Sequence, residues 1–277
     1  MKPTEVSPEK TLGTDLNLDS LRRVELLSAI EGDLGVYIDE SQVSDETTVQ
    51  ELHDLVGEGS KDSAEVKFPG WGMSWWCRPL RGVIQRVFVF PLLRMAYRLT
   101  VTGAENLEGR GGPVLIAANH NLSLDNGLII KAFPSHLRRR LAIAAAARLW
   151  GSPFWATINP LIGNGFPFSQ EGAIRASLDN LGRIVDNGWS VLIYPEGKKT
   201  HGGPIQPFMS GTGLLAVGGN LSVVPLRLHI HKMGIPGAFP LLRRGDIEIC
   251  FGKPLTFSPE TIYLEATAAI EEAVRAL

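Results

Sequence analysis

An α/β domain built on a mostly parallel, helix-covered sheet, preceded by a small and incomplete all-α segment, is the fold class predicted for this 277-residue chain. Three observations lead there. Short apolar runs alternate with longer amphipathic ones through most of the chain, the pattern of strands joined by crossover helices. Charge switches sharply: residues 1–65 hold 16 Asp/Glu against 5 Lys/Arg, a net of −11, and residues 66–277 hold 13 against 22, a net of +9. Between the two lies the polar run Gly57 to Ala64, which reads as a linker. The expected division is therefore a helical segment over 1–56, a linker over 57–70 and an α/β domain over 71–277.

Taken in order, the first element is a helix that begins at Ser20, a good N-cap residue, and carries Leu21, Val24, Leu27, Ile30 and Leu34 near helical period. Thr48-Val49-Gln50-Glu51 forms a capping box that opens another short helix. In the larger domain the strand runs are Val114–Ala118, Leu141–Ala145, Ser190–Tyr194, Val223–Leu228 and Ile247–Phe251. Helical periodicity marks Glu171–Asn187 and Glu260–Leu277, the latter with Ile262, Ala266, Ala269 and Ile270 expected toward the core.

Composition removes several function classes. Two cysteines, Cys77 and Cys250, are too few for a disulfide framework, and with no leader peptide expected they indicate a reducing compartment. No metal-ligand spacing is present; His229 and His231 alternate along a strand end and read as structural. Gly211-Thr212-Gly213-Leu214-Leu215-Ala216 spells a dinucleotide fingerprint, but it follows Pro207-Phe208-Met209 rather than a strand, so that reading is rejected. No nucleic-acid partner is expected.

The chemistry concentrates in Ala117-Ala118-Asn119-His120-Asn121-Leu122-Ser123-Leu124-Asp125, at the end of the first of these strand runs. A histidine five residues before a carboxylate gives a general base whose tautomer and protonated form are held by the anion. Strand-end loops are where α/β enzymes keep such groups. Alone the spacing is weak, and a strand-end histidine bonded to backbone is the plain alternative. Further along come Ile162 to Ser169, then Val191-Leu192-Ile193-Tyr194-Pro195-Glu196-Gly197, then Val223-Val224-Pro225-Leu226-Arg227. This ordered set resembles the glycerolipid acyltransferase family, which includes the 1-acylglycerol-3-phosphate acyltransferases and is marked by N-H-x4-D, G-x-x-F-x-x-R, F-P-E-G-T-R-S and V-P-V-x-P blocks. The resemblance covers about residues 80–260.

It implies that His120 is the general base and Asp125 its orienting partner. It implies also that Gly165, Phe166, Phe168 and Ser169 line an acceptor pocket, with Gln170 and Pro225 counted to the same site. Glu196 and Gly197 would help form the acceptor site, and Lys198 and Lys199 would supply its positive charge. The chain departs from the family twice: Gln170 stands where arginine closes the second block, and Lys198-Lys199 follow the glycine of the third. Arginine grips phosphate with a planar fork, lysine offers a point charge and glutamine none, which leaves a smaller or uncharged acceptor open.

Leu12-Gly13-Thr14-Asp15-Leu16-Asn17-Leu18-Asp19-Ser20-Leu21 resembles the acyl carrier motif around the serine that bears phosphopantetheine. The implied cofactor is a phosphopantetheine arm on Ser20, at a helix start whose positive end favours a phosphodiester; Ser20 as a simple cap is the alternative. In that family a full helix precedes the loop, whereas only Met1 to Lys10 do so here, with two prolines. The chain then reads as the rear part of a longer polypeptide with an upstream adenylate-forming domain as a partner.

Val66 to Ala104 contains no acidic residue but has Trp71, Trp75, Trp76, Arg78, Arg81, Arg86, Arg94 and Arg98 among Val83, Ile84, Val87, Phe88, Val89, Phe90, Leu92 and Leu93. A second acid-free span, Asn126 to Gln170, has Arg138-Arg139-Arg140, Trp150, Trp155, Ile158 and Leu161. Arginine and tryptophan among aliphatics suit the headgroup region, so peripheral attachment to an anionic membrane at its cytoplasmic face is expected. The apolar run is broken by Pro91 and too short to span. Three functions follow: acyl transfer from acyl-coenzyme A or an acyl carrier to a lysolipid such as lysophosphatidic acid, in phospholipid synthesis; a carrier with a non-catalytic membrane-docking domain; or hydrolysis of an acyl thioester.

Overall fold

The computed structural model describes residues 6–58 except 19–21, 24–25, 28, 31–33, 35, 37 and 39–41, and residues 70–277 except 109–111, 123, 147–148, 151, 169–173 and 233–244. For residues 58 and 174–179 only the backbone is described. The chain divides into two units, Met1–Lys67 with Phe168–Leu178, and Phe68–Pro167 with Asp179–Leu277.

In the smaller unit the expected capping box is formed. The Thr48 N–H donates to Glu51 Oε2 at 2.8 Å and the Glu51 N–H donates to Thr48 Oγ1 at 3.2 Å, opening the helix Val49–Glu58. An isolated antiparallel bridge, Thr11 to Thr48, ties the loop before Ser20 to this helix start. Leu12, Ile38, Val43 and Leu52 are its buried core, with Leu16, Leu18, Leu26, Leu27 and Ile30 packed around them. Leu34, counted with the apolar stripe on period alone, is 59% exposed. Ser20 lies outside the described residues.

Among the described residues, the larger unit is organised by a seven-stranded sheet in the order β1-β7-β6-β2-β5-β3-β4. The strands are β1 (Tyr97–Thr102), β2 (Val114–Ala118), β3 (Leu141–Ala146), β4 (Gly165–Phe168), β5 (Ser190–Ile193), β6 (Ser222–Lys232) and β7 (Gly245–Phe251). β2 lies between β6 and β5, parallel to both, and β3 continues the parallel set beyond β5. β6 and β7 are antiparallel, while β7 and β1 run parallel. This is the mostly parallel sheet expected, and all five predicted strands are present within it. β2 is buried at every residue, as a central parallel strand covered on both faces must be.

β1 and β4 were not anticipated. β1 is an edge strand set inside the arginine-rich stretch, and β4, the other edge, carries Gly165, which weakens a strand, and Pro167, which an edge strand tolerates. The C-terminal helix Tyr263–Ala276 buries Ala266, Thr267, Ile270 and Val274. Ile262 is not in that core: it precedes the first helical turn and is 58% exposed. Gly213 finds its use in this packing. A Cβ there would collide with the Tyr263 carbonyl, and its N–H donates to Thr267 Oγ1 at 3.0 Å. The second glycine of the apparent dinucleotide motif thus serves helix packing.

Residues 77–96 are helical throughout, as Cys77–Ile84, a π-helical turn Gln85–Val89, and Phe90–Ala96. The wide turn precedes Pro91, which has no N–H to give the previous turn, so the proline widens the helix rather than ending it. Arg81 is corrected from the interface reading: it is 3% exposed and donates to the carbonyl oxygens of Pro160 and Gly72 and to Asn164 Oδ1. Burial pushes its guanidinium below the ordinary value. It staples this arm to the helix Pro153–Gly163. Among the described residues no helix is long and apolar enough to cross a membrane, and no cluster of three metal-ligating side chains is found.

Candidate active site

His120 follows the last residue of β2 by two positions, and Asp125 opens the helix Asp125–Ala132. The tight loop between them turns the two side chains onto each other, with His120 Nδ1 2.8 Å from Asp125 Oδ2. Asp125 is wholly buried, whereas the His120 side chain remains 17% exposed. The same Oδ2 accepts the Asn121 N–H at 2.6 Å and the Leu122 N–H at 2.9 Å. Three donors thus converge on one oxygen, and among the described residues Asp125 Oδ1 has no partner. An ionised carboxylate only accepts, so Nδ1 carries the proton and Nε2 keeps its lone pair. A first-turn carboxylate is also favoured by the helix's positive end.

β5 lies beside β2 and runs the same way, which carries Tyr194 and Glu196 to the same end of the sheet. Glu196 is 5% exposed and both of its oxygens are used: Oε1 accepts the backbone N–H of His120 at 2.7 Å, and Oε2 that of Gln206 at 2.7 Å. Thr200 closes the same loop, its N–H donating to the His120 carbonyl at 2.9 Å and its hydroxyl to Asn121 Oδ1 at 2.7 Å. Gly197 makes the turn at a φ of +71°, where a side chain would be strained. The Tyr194 ring stacks on the His120 ring, with centroids 4.0 Å apart and planes 16° apart, and its hydroxyl donates to Asn126 Oδ1 at 2.5 Å. Burial, with the Asp125 charge second, pushes that hydroxyl well above its ordinary value, so it stays a neutral donor. From the other side β6 contributes backbone: Leu228 N–H donates to Asn119 Oδ1 at 2.7 Å, and the Leu228 carbonyl accepts from Asn121 Nδ2 at 2.9 Å.

The structure therefore brings together His120, Asp125 and Glu196. Gly197 turns the adjoining loop, and Lys198 and Lys199 are exposed on it. Pro225 is a buried residue of β6, paired with Ala117, and its carbonyl accepts the Gly252 N–H at 2.8 Å. Gly165, Phe166 and Phe168 all belong to β4: Gly165 packs against Asn159, Phe166 is wholly buried and Phe168 is partly buried. Ser169 and Gln170 lie outside the described residues. Asn119, Asn121, Asn126, Thr200 and Gln206 were not singled out by sequence. The asparagines flanking His120 were its visible signal, since short amides on either side of a base secure loop backbone.

The family described as Acyltransferase matches residues 98–229, and that described as Phosphopantetheine attachment site matches residues 1–56. The chain carries an acyltransferase domain preceded by a phosphopantetheine-attachment segment. Its acyltransferase domain is similar to a chloroplastic 1-acyl-sn-glycerol-3-phosphate acyltransferase of Brassica napus, 26% identical over 170 residues, which is 57% of this chain and 45% of that protein. The chain spans about half the length of the curated acyltransferases it matches. The attachment segment is similar to the acyl carrier protein of Thermosynechococcus vestitus, 41% identical over 54 residues, 20% of this chain and 67% of that protein. The acyltransferase domain shares its fold with the crystal structure of the 1-acyl-sn-glycerophosphate acyltransferase PlsC from Thermotoga maritima, with a TM-score of 0.53, 21% identity, and coverage of 72% of this chain and 79% of that one.

Proposed function

We propose that the protein transfers a fatty acyl group from a thioester to the hydroxyl of a glycerophospholipid-type acceptor such as lysophosphatidic acid. The observation that carries this reading is the wholly buried Asp125 bonded to Nδ1 of His120, which leaves Nε2 as a proton acceptor on a partly exposed ring. In the reaction His120 Nε2 takes the proton of the acceptor hydroxyl as its oxygen attacks the thioester carbonyl. The C–O bond forms, the C–S bond breaks, and the proton passes from the imidazolium to the departing thiolate. Asp125 holds the ring and stabilises the imidazolium between these events. An activated acyl group makes a Ser or Cys nucleophile unnecessary. The test is release of free thiol from an acyl thioester, measured with and without lysophosphatidic acid. Acceptor-dependent release with formation of the diacyl product is expected. Release that ignores the acceptor would make the protein a thioester hydrolase, and no release would leave a carrier.

For the donor, the reading is an acyl group delivered in cis by an arm on Ser20. Its support is the match to a phosphopantetheine attachment site and the opposed charges of the two segments, −11 and +9. A short tether sets an effective concentration on the order of millimolar, so weak docking is enough. Co-expression of the full chain with a phosphopantetheinyl transferase should add the mass of the arm, and Ser20→Ala should abolish both the addition and transfer. An unmodified serine sinks this reading. Modification with transfer unaffected by Ser20→Ala would make free acyl-coenzyme A the donor.

For the place of reaction, the reading is peripheral attachment to anionic membrane. Trp75, Phe88 and Leu92 are 81%, 67% and 64% exposed on the arm that opens the larger unit. Arg86 and Arg94 lie on the same arm, near enough to Arg138 and Lys131 to depress their ionisation after the larger effect of burial. Phe88→Ser with Leu92→Ser should weaken partition onto phosphatidylglycerol vesicles by at least about tenfold, given roughly 1.5–3 kcal/mol for each buried side chain. Unchanged co-sedimentation would refute it.

A further inference from the structure

We propose that Tyr194 is a positioning residue for the base, a flat plate and a tether that together fix the plane of the His120 imidazole. The proposal rests on the reading of His120 as the base. One hydrogen bond, Nδ1 to Asp125, leaves an imidazole free to rock about the line of that bond, and Nε2 lies off the line and swings with it. The stack on Tyr194, 4.0 Å between centroids and 16° between planes, blocks the swing from one side.

The plate is itself held at both ends. Its backbone follows directly on β5, and its hydroxyl donates to Asn126 Oδ1 at 2.5 Å. Asn126 is the neighbour of Asp125 on the helix Asp125–Ala132. One helix turn therefore holds the imidazole by its edge and the plate that covers its face. Phenylalanine, which the family's third block carries at this place, would keep the plate and lose the tether. The hydroxyl spans two segments 68 residues apart in sequence and is more than a filler of space. A phenol is ordinarily neutral at working pH, and burial with the Asp125 charge pushes this one further toward the protonated form, so it remains a donor to the asparagine oxygen.

The test uses the full chain, an acyl thioester and lysophosphatidic acid. Tyr194→Phe should lower kcat about threefold to tenfold, the range of one lost hydrogen bond, with KM unchanged. Asn126→Ala should do the same, and the two together should lose no more than either alone, since they break one contact. Tyr194→Leu, which removes plate and tether, should lower kcat about 10²-fold, the scale of a misplaced reacting group, again without a rise in KM. In protein labelled at histidine nitrogen, the Nδ1–H resonance of His120 should persist in Tyr194→Phe and vanish by exchange in Tyr194→Leu. A Tyr194→Leu enzyme with undiminished kcat, while His120→Ala is inactive, overturns the proposal and spares the base. Additive losses in the Tyr194→Phe, Asn126→Ala pair also overturn it, as does a change confined to KM, which would make Tyr194 a substrate contact. Full activity in His120→Ala removes the base and the proposal together.

Discussion

His120→Ala is expected to lower acyl transfer by about 10²–10⁴-fold, the contribution of a general base, while the protein stays folded. The substitution removes one hydrogen bond from Asp125 Oδ2 but leaves the two from the Asn121 and Leu122 N–H groups, so the buried carboxylate keeps partners. Asp125→Asn is the informative companion. Because all three donors converge on Oδ2 and Oδ1 has no partner among the described residues, an asparagine can place its amide oxygen where Oδ2 stands and keep these three bonds. The ring orientation then survives and only the negative charge is lost. Asp125→Asn should accordingly fall between wild type and His120→Ala, whereas Asp125→Ala, which loses orientation as well, should approach His120→Ala. Initial rates of diacyl product formation measure this series. Near-wild-type turnover in His120→Ala would end the acyltransferase reading.

Glu196→Gln is expected to destabilise the larger unit and slow the reaction together. Both carboxylate oxygens accept backbone N–H groups, from His120 and from Gln206. Glutamine offers one acceptor and turns its NH2 toward the other N–H, leaving a donor facing a donor. The loss of one bond to a charged group is about 1.5–3 kcal/mol, and Glu196→Ala, which loses both, should cost more. Denaturant midpoints report the stability change, and kcat should drop because the His120 backbone loses its brace. If stability held and only the KM for the acceptor rose, Glu196 would instead be a direct acceptor contact, the role that family resemblance alone assigns.

Legibility in the sequence followed the physics of each residue. β2, β3, β5 and the first half of β6 were readable because strands covered on both faces are written as continuous apolar runs, and β7 because its apolar residues alternate with Asp246 and Glu248. β1 and β4 were not, since an edge strand can carry Arg98 and Thr100, or Gly165 and Pro167, without losing buried pairings. His120 and Asp125 were visible because both partners lie in one short loop. The brace from Glu196 was invisible because its partners are backbone N–H groups, which no side-chain pattern marks. The tether from Tyr194 was invisible because Asn126 is distant in sequence. Arg81 was misassigned for a related reason: its partners are chiefly carbonyl oxygens of segments far along the chain, so the sequence showed only another arginine beside tryptophan.

The loop from Tyr194 to Thr200 has two sides with different freedom to vary. Tyr194, Glu196 and Thr200 are bound to His120 or its neighbours, and a change at any of them disturbs the base. Lys198 is exposed on the same loop, and among the described residues none of these bonds runs through it. Substitutions at Lys198 can therefore be sampled at little cost to His120 and its partners. Under the proposed function, in which this position supplies charge to the acceptor site, Lys198 is a place where selection, or an engineer, can exchange one acceptor headgroup for another without rebuilding the proton-transfer groups.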